Sequence, residues 1–307
     1  MNKYTNVSAI VVTYHPEIHV LEQLLDALGE QVDSIVLVDN GSGKYLKKFI
    51  ESRHRNCEHL ICLGSNHGVA AAHNIGIEWA RRKAKTHVIL FDQDSVPASD
   101  MVYRLMSKLM EIENRGIKVA AVGPWYKDER NMNRPSFISV SGLKVVKSFS
   151  RPVDDVIESD IIISSGSLIP ISILVEVGGP LTELFIDQVD LEWCFRVRSH
   201  GYRLFGVCNT TMHHSMGENP KIFLGKKFLH HGPLRHYYIF RNAIWLLFKK
   251  YVPLGWKFLF IRTILLRFIV YGAFISPRLD YLEMMIKGVW HGLRGQLGEL
   301  KTTSINH

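Results

Sequence analysis

No uncharged apolar run in the chain reaches eighteen residues, so nothing in it reads as a simple membrane span. Its four cysteines, Cys57, Cys62, Cys194 and Cys208, show no CxxC spacing. The first residues, Met1 to Thr5, leave no room for an apolar targeting segment, so reduced thiols in the cytoplasm are expected rather than disulfides. The imidazoles at His213, His214, His230, His231 and His236 match neither zinc-finger nor HExxH spacing, which argues against a structural zinc site. Internal repeats and low-complexity tracts are absent as well. What is present is a 307-residue chain with 47% hydrophobic residues, enough for a folded core.

Charge is unevenly spread. Residues 221–307 hold fourteen Lys/Arg against three Asp/Glu, a surplus of eleven, and the chain as a whole carries +8, so residues 1–220 carry −3. The boundary near 220 is therefore read as the end of a catalytic domain and the start of a basic, apolar helical extension. Such an extension suits an anionic surface. Its cations, among them Lys257, Arg262 and Arg267, are interleaved with long aliphatics and do not form a polar stripe. That favours a lipid surface over nucleic acid, the plainer alternative being a helix packed against the catalytic domain or a second subunit, and no nucleic-acid partner is expected.

The first 125 residues alternate short β-branched runs with helical periodicity. Val7–Thr13, Ser34–Val38, Leu60–Leu63, His87–Phe91 and Val119–Val122 read as strands, and 18–30 as a helix with Leu21, Leu24, Leu25 and Leu28 on one face. This order predicts an α/β fold, with a parallel sheet covered on both faces. The first strand stops at Tyr14-His15-Pro16 and the next three end in clusters of Asp, Asn, Gly or Ser, and open α/β sheets bind ligands at that edge. The stretch 126–158 is expected to be irregular; Ile161–Val175 reads as a core strand, a turn and a short helix.

The chemistry gathers at those strand ends. Asp92 and Asp94, two apart in extended chain, would offer two hard oxygens to Mg²⁺ or Mn²⁺ shared with substrate phosphates, although Asp in such a turn is often only a cap. Asp39 could accept from a pyrimidine or ribose, or simply close an Asx-turn. Asn66 to Gly76 sets small residues and amides at a helix start, where backbone can approach phosphate. Phe185 to Trp193 holds Asp187, Asp190 and Glu192, a source of general base, with Trp193 available to stack on a sugar; acids at a helix start also simply complement its dipole. His214 is a candidate third metal ligand.

Val11-Val12-Thr13-Tyr14, Val38-Asp39-Asn40-Gly41-Ser42, Asn66-x-Gly68-x-Ala70-x-Ala72-x-Asn74-x-Gly76, Asp92-x-Asp94 and the later acidic cluster occur in that order. Together, over about residues 10–217, they resemble family 2 glycosyltransferases of the GT-A (Rossmann-like) fold. Phe185-Ile186-Asp187-x-Val189-Asp190-x-Glu192-Trp193-Cys194, His213-His214-Ser215-x-Gly217, Pro233-Leu234-Arg235 and Tyr237-Tyr238-x-x-Arg241-Asn242 narrow the resemblance to bacterial rhamnosyltransferases of O-antigen and cell-surface polysaccharide assembly.

The resemblance implies a dTDP-L-rhamnose donor and an inverting displacement. It also implies an acceptor oligosaccharide on undecaprenyl diphosphate, at the cytoplasmic face of the bacterial inner membrane. Other donors, such as UDP-galactose, UDP-N-acetylglucosamine or UDP-galactofuranose, stay open, because pocket shape decides the sugar. A sugar-phosphate nucleotidylyltransferase would carry a Gly-rich loop after the first strand, where Thr13-Tyr14-His15-Pro16-Glu17 stands instead.

Carried over by residue, Asp39 would contact the base, and Thr13, Tyr14, Asn66, Gly68 and Asn74 would line the nucleotide. Asp92 and Gln93 would face the ribose and diphosphate; Asp94, with Asp92 and His214, would hold the divalent metal. Glu192, Trp193 and Arg241 are expected at the acceptor. Many relatives carry Glu-Asp before this Val-Asp, with that Asp as base. Here the pair is Asp187-Gln188, and glutamine takes no proton at neutral pH, so the base moves to Asp187 or Asp190, with Asp190 slightly favoured.

Overall fold

The computed structural model describes residues 4–53, 57–127, 137–148, 155–214, 221–223, 226–228 and 231–301. Its central sheet is built from β1 (Tyr4–Thr13), β2 (Val32–Asp39), β3 (His59–Cys62), β4 (His87–Asp92), β5 (Ser95–Pro97) and β6 (Val119–Lys127). A hairpin of β7 (Phe137–Ser141) and β8 (Lys144–Ser148) stands apart, and β9 (Val156–Ser159), β10 (Leu168–Pro170) and β11 (Arg203–His214) complete the main sheet. The strand order is β3-β2-β1-β4-β10-β6-β11-β5, with β9 also on β11.

The half expected from the strand periodicity, β3-β2-β1-β4, is parallel throughout. The other half departs from expectation: β10 runs antiparallel to β4 and β6, and β11 antiparallel to β5 and β9. The sheet is mixed because β5, β9 and β10 enter it antiparallel to their neighbours. The stretch 126–158, expected to be irregular, contributes the hairpin β7–β8 and most of β9.

Two apolar layers cover it. On one face lie α1 (Ile18–Gly29), through Leu21, Leu24, Leu25 and Leu28, and α4 (Met101–Asn114), through Leu105 and Leu109. Each fully buried leucine contributes about 2 kcal/mol of transfer free energy, so this stripe fixes the helix against the sheet. On the other face pack α3 (Val69–Arg82), α6 (Val189–Ser199), α7 (Pro233–Leu247) and α8 (Leu254–Ala273). The remaining helices are α2 (Lys44–Arg53), the short α5 (Ile171–Val177) and α9 (Arg278–Arg294). Gly76 lets α3 sit on the sheet, since a Cβ there would meet Ile10 at 2.4 Å. The chain past residue 220 does not stand off from the rest: α7 packs into this second layer and onto the edge where the strands end.

Candidate active site

The parallel half of the sheet builds the site by register. Val12 pairs with Val38 on one side and Asp92 on the other, and Thr13 pairs with Asp39. A cleft of about 410 Å³ opens at this edge. Tyr14, Asn40, Asn66, Gly68 and Asp92 to Asp94 line it from the strand ends, and Phe185, Ile186, His231 and Arg235 from the later chain.

Strand β4 stops at Asp92, and Gln93 and Asp94 form a turn, not the extended chain expected, yet all three line the cleft. Gln93 grips the loop after β1: its Oε1 accepts from the Tyr14 N–H at 2.7 Å and its Nε2 donates to Tyr14 O at 3.1 Å. The Asp92 N–H donates to Ser165 Oγ at 3.1 Å. Asp39 and Thr13 are buried, and neither lines the cleft. The Asp39 carboxylate accepts the Ser42 N–H at 3.1 Å and the Thr13 hydroxyl at 3.3 Å, so it closes the Asx-turn foreseen as the plainer alternative. Asn66 Oδ1 takes hydrogen bonds from Asn40 Nδ2 and from the Gly68 N–H, both at 2.9 Å.

Gly68 has φ of +86°, and a Cβ there would lie 2.5 Å from Phe185 O. The glycine is thus required by close approach of the acidic loop, whose Phe185 carbonyl accepts the Val69 N–H at 2.9 Å. Asn74 does not reach the cleft. Its amide donates to Pro180 O at 2.7 Å and Thr182 Oγ1 at 3.1 Å, tying α3 to the approach of the acidic loop.

That loop is strained. Phe185, Asp187 and Gln188 have φ of +65°, +62° and +55°, a region costly for residues with a side chain. Helix α7 holds it in place. Asn242 Nδ2 faces three of its carbonyls, Leu184 O at 3.1 Å, Ile186 O at 2.8 Å and Asp187 O at 2.9 Å.

The two candidate bases differ in surroundings. Asp187 is held by Arg235, with Nε 3.1 Å from Oδ2 and the fork's second nitrogen 3.2 Å from Oδ1. Asp190 has no ion-pair partner among the described residues. Burial pushes its pKa up to about 6; the backbone N–H groups of Leu191 and of Asp190 itself, in the first turn of α6, pull the other way, and the charges of Asp92 and Asp187 add to the rise. Gln188, between the two, has its Oε1 buried without a hydrogen-bond partner.

The chain's similarities agree with this geometry. The model of glycosyl transferase family 2 matches residues 8–169. A Shigella flexneri protein named dTDP-rhamnosyl transferase RfbF is 33% identical over 299 residues, 96% of this chain and 97% of that protein. The chain belongs to glycosyl transferase family 2.

Solved structures give the fold. The family 2 enzyme superposes on S. aureus TarS 1–349 in complex with UDP-GlcNAc with a TM-score of 0.59 and 14% identity, over 94% of this chain and 81% of that one. For GalNAc-T7 with UDP, GalNAc and Mn²⁺ the TM-score is 0.58 at 14% identity, over 94% of this chain and 56% of that one. The fold is GT-A, as the motif order implied.

Three residues of the transferase expected at the acceptor lie elsewhere. Glu192 is wholly buried, paired with Arg196 at 2.8 Å and accepting from the Tyr251 hydroxyl at 2.8 Å. Trp193 is 5% exposed, its indole N–H given to Gly178 O at 3.0 Å, so no ring face is open to a sugar. Arg241 is wholly buried and spends its donors on the carbonyls of Glu183, Leu184 and Gly298 and on Asn242 Oδ1. Arg241 supports the acidic loop from behind, while Trp193 and, through Arg196, Glu192 hold the turn at residues 177–179. Helical spacing shows that such residues share an element; it does not show which face meets the cleft. The residues missed in the sequence, Arg235 as partner of Asp187 and Asn242 as clamp, stood within the Pro233–Asn242 motifs, but only tertiary packing assigns those roles.

The donor set fits a substrate-bridged divalent cation. Among the described residues no group of three or more His, Cys, Asp or Glu could hold a metal by itself. Two cleft carboxylates, Asp92 and Asp94, match the one or two that Mg²⁺ uses alongside substrate phosphates. The backbone of His214 pairs with Ser95, the residue after Asp94. The His214 side chain, Ser215, Gly217 and His230 lie outside the described residues.

Proposed function

We propose that this transferase moves L-rhamnose from dTDP-L-rhamnose to a hydroxyl of a lipid-linked oligosaccharide, with inversion at C1, in O-antigen or related polysaccharide assembly. The observation that carries the donor is the relative named dTDP-rhamnosyl transferase, aligned over nearly the whole of both chains. Asp190 takes the proton from the acceptor hydroxyl while its oxygen attacks C1 and the C1–O bond to the diphosphate breaks. Its desolvated carboxylate, at a pKa of about 6, is ionised at neutral pH yet more basic than an ordinary aspartate. Asp187, tied to Arg235, orients the acceptor side. A divalent cation held by Asp94 with Asp92, and by His214, would neutralise charge building on the departing diphosphate.

The enzyme works, on this reading, at the cytoplasmic face of the inner membrane. No helix among the described residues is long and apolar enough to cross one. Helix α8 instead exposes Phe258, Ile261, Leu265 and Ile269, the last two 58% and 59% exposed, beside the cation Arg262. An apolar ridge with neighbouring cations suits anionic headgroups over an acyl boundary.

The test is melting of the full chain against dTDP, UDP, GDP and their sugars, with and without Mn²⁺ or Mg²⁺, followed by turnover of dTDP-L-rhamnose. Metal-dependent stabilisation by dTDP over UDP and GDP is expected. Stabilisation and turnover with a UDP-sugar alone would reassign the donor.

A further inference from the structure

Helix α8 carries one cation where its packing calls for an apolar side chain. Trp256, Phe260, Ile264, Arg267 and Tyr271 follow one another at spacings of three and four, which is one helical face. Trp256, Phe260 and Tyr271 are buried there, and Ile264 packs against the same core. The Nη1 nitrogen of Arg267 is buried and has no hydrogen-bond partner among the described residues. A guanidinium is retained in such a place when something compensates its charge.

The protein's own groups do not suffice. Among the described residues the groups that act on Arg267 are Tyr271, whose phenol burial keeps protonated, Asp187 and Arg235. Asp187 is already held by both arms of the Arg235 fork, so two guanidinium groups share one carboxylate. His236 also adjoins, packed on Tyr271 at 4.0 Å, with Nδ1 bonded to Gly232 O and Nε2 buried without a partner. Burial holds its pKa down at about 4, so it is neutral; it can accept a hydrogen bond but brings no counter-charge. The local balance is one positive charge too many.

Arg235 lines the cleft. Arg267 stands one helical turn before Tyr271, whose ring packs on His236, the neighbour of Arg235 on α7, so the second guanidinium lies behind the first on the α8 side. The donor-side acids act elsewhere: Asp92 bears on Asp190, while Asp187 is the one carboxylate that bears on Arg267. We propose that Arg267 and Arg235 form an anion subsite for a phosphate or diphosphate group at the α8 side of the cleft. Planar forks of this kind grip phosphate oxygens in pairs. The inference rests on the proposed function for its two possible sources, the lipid carrier of the acceptor and the donor nucleotide, both of which carry a diphosphate.

The test is calorimetric titration of the full-length chain in mild detergent and EDTA, so that no divalent cation recruits phosphate to Asp92 and Asp94. The probes are inorganic pyrophosphate and farnesyl diphosphate, with farnesol as the neutral control, and dTDP in a parallel titration with Mg²⁺ in place of EDTA. Arg267→Met is expected to weaken pyrophosphate roughly tenfold or more, Arg267→Lys to recover part of the loss, and neither to alter farnesol. Loss confined to farnesyl diphosphate and pyrophosphate assigns the subsite to the lipid carrier. Loss shared with dTDP assigns it to the donor. Should Arg267→Met not fold, Arg267→Gln and Arg267→Lys carry the comparison. Folded variants that bind all three phosphates like the wild type overturn the subsite. Failure of dTDP-rhamnose turnover, by contrast, removes the donor assignment and leaves the pyrophosphate result standing.

Discussion

Gln93 holds Tyr14 at two points, accepting the Tyr14 N–H at 2.7 Å and donating to the Tyr14 carbonyl at 3.1 Å. The middle residue of the Asp92-Gln93-Asp94 triplet thereby fixes the loop after β1 against the end of β4, so both walls of the donor side move as one. An amide is needed because one group must accept while the other donates.

Gln93→Glu removes the donor and sets a carboxylate against a carbonyl, and Gln93→Ala removes both bonds. Each net hydrogen bond is worth about 1 kcal/mol, so either change is expected to raise the donor KM by roughly tenfold. Circular dichroism should show an intact fold. A donor KM unchanged in both variants would reduce the clamp to an incidental contact.

Asp190→Asn is expected to cut kcat by roughly 10²–10⁴-fold while leaving donor affinity near wild type. Asp187→Asn should cost less, since it disrupts the Arg235 pair without removing the base. Near-normal rates in both single variants would sink the acidic-loop assignment.

The pH dependence follows from the same carboxylate. Because the base must be ionised, log kcat should rise with pH up to about 6 and level above it. Asp187→Asn removes one of the charges that raise this pKa, so its acidic limb should shift to lower pH. Stability runs the other way. The folded pKa lies above the ordinary 3.8, so ionising Asp190 disfavours the fold as pH climbs from about 4 to about 6, with no further change beyond. Asp190→Asn should therefore melt higher relative to wild type at pH 7 than at pH 4. An Asp190→Asn melting difference that stays flat from pH 4 to pH 7 would show that burial does not shift this group.

Much of this site was legible in the sequence, and the boundary of legibility is physical. Strand ends are written locally, in β-branched runs that stop at Asp, Asn and Gly, so the edge holding Asn66, Gly68 and Asp92 to Asp94 could be read directly. Side-chain direction is not local. Asn74, Glu192, Trp193 and Arg241 stand in the motifs as ligand contacts would, yet they turn inward to hold Pro180, Arg196, Gly178 and Leu184. Ile161–Val175 reads as containing a core strand, but the antiparallel direction of β10 stays hidden because three residues, Leu168–Pro170, carry no periodicity that fixes a direction.

Helix α8 gives a test separate from the chemistry. Leu265→Glu with Ile269→Glu sets two charges on its exposed ridge and leaves the buried stripe of Trp256, Phe260 and Tyr271 untouched. The double variant should keep its melting temperature and lose sedimentation with vesicles containing anionic lipid. Wild-type binding to those vesicles should weaken with salt, since the basic residues contribute through a screened attraction. Equal sedimentation of variant and wild type would detach α8 from the lipid surface.

Asn242→Ala is the most direct probe of the strained loop. One amide faces the carbonyls of Leu184, Ile186 and Asp187, and removing it leaves those oxygens short of a donor in a half-buried place. A cost of about 2–4 kcal/mol is expected, a fall in Tm of roughly 4–8 °C. Because Phe185, Asp187 and Gln188 hold positive φ only while clamped, the loop should relax and carry Asp190 out of line. The expected signature is a fall in kcat larger than the rise in donor KM, since the Tyr14–Gln93 side of the cleft is untouched. A variant that loses stability but keeps kcat would show that the loop keeps its shape without Asn242.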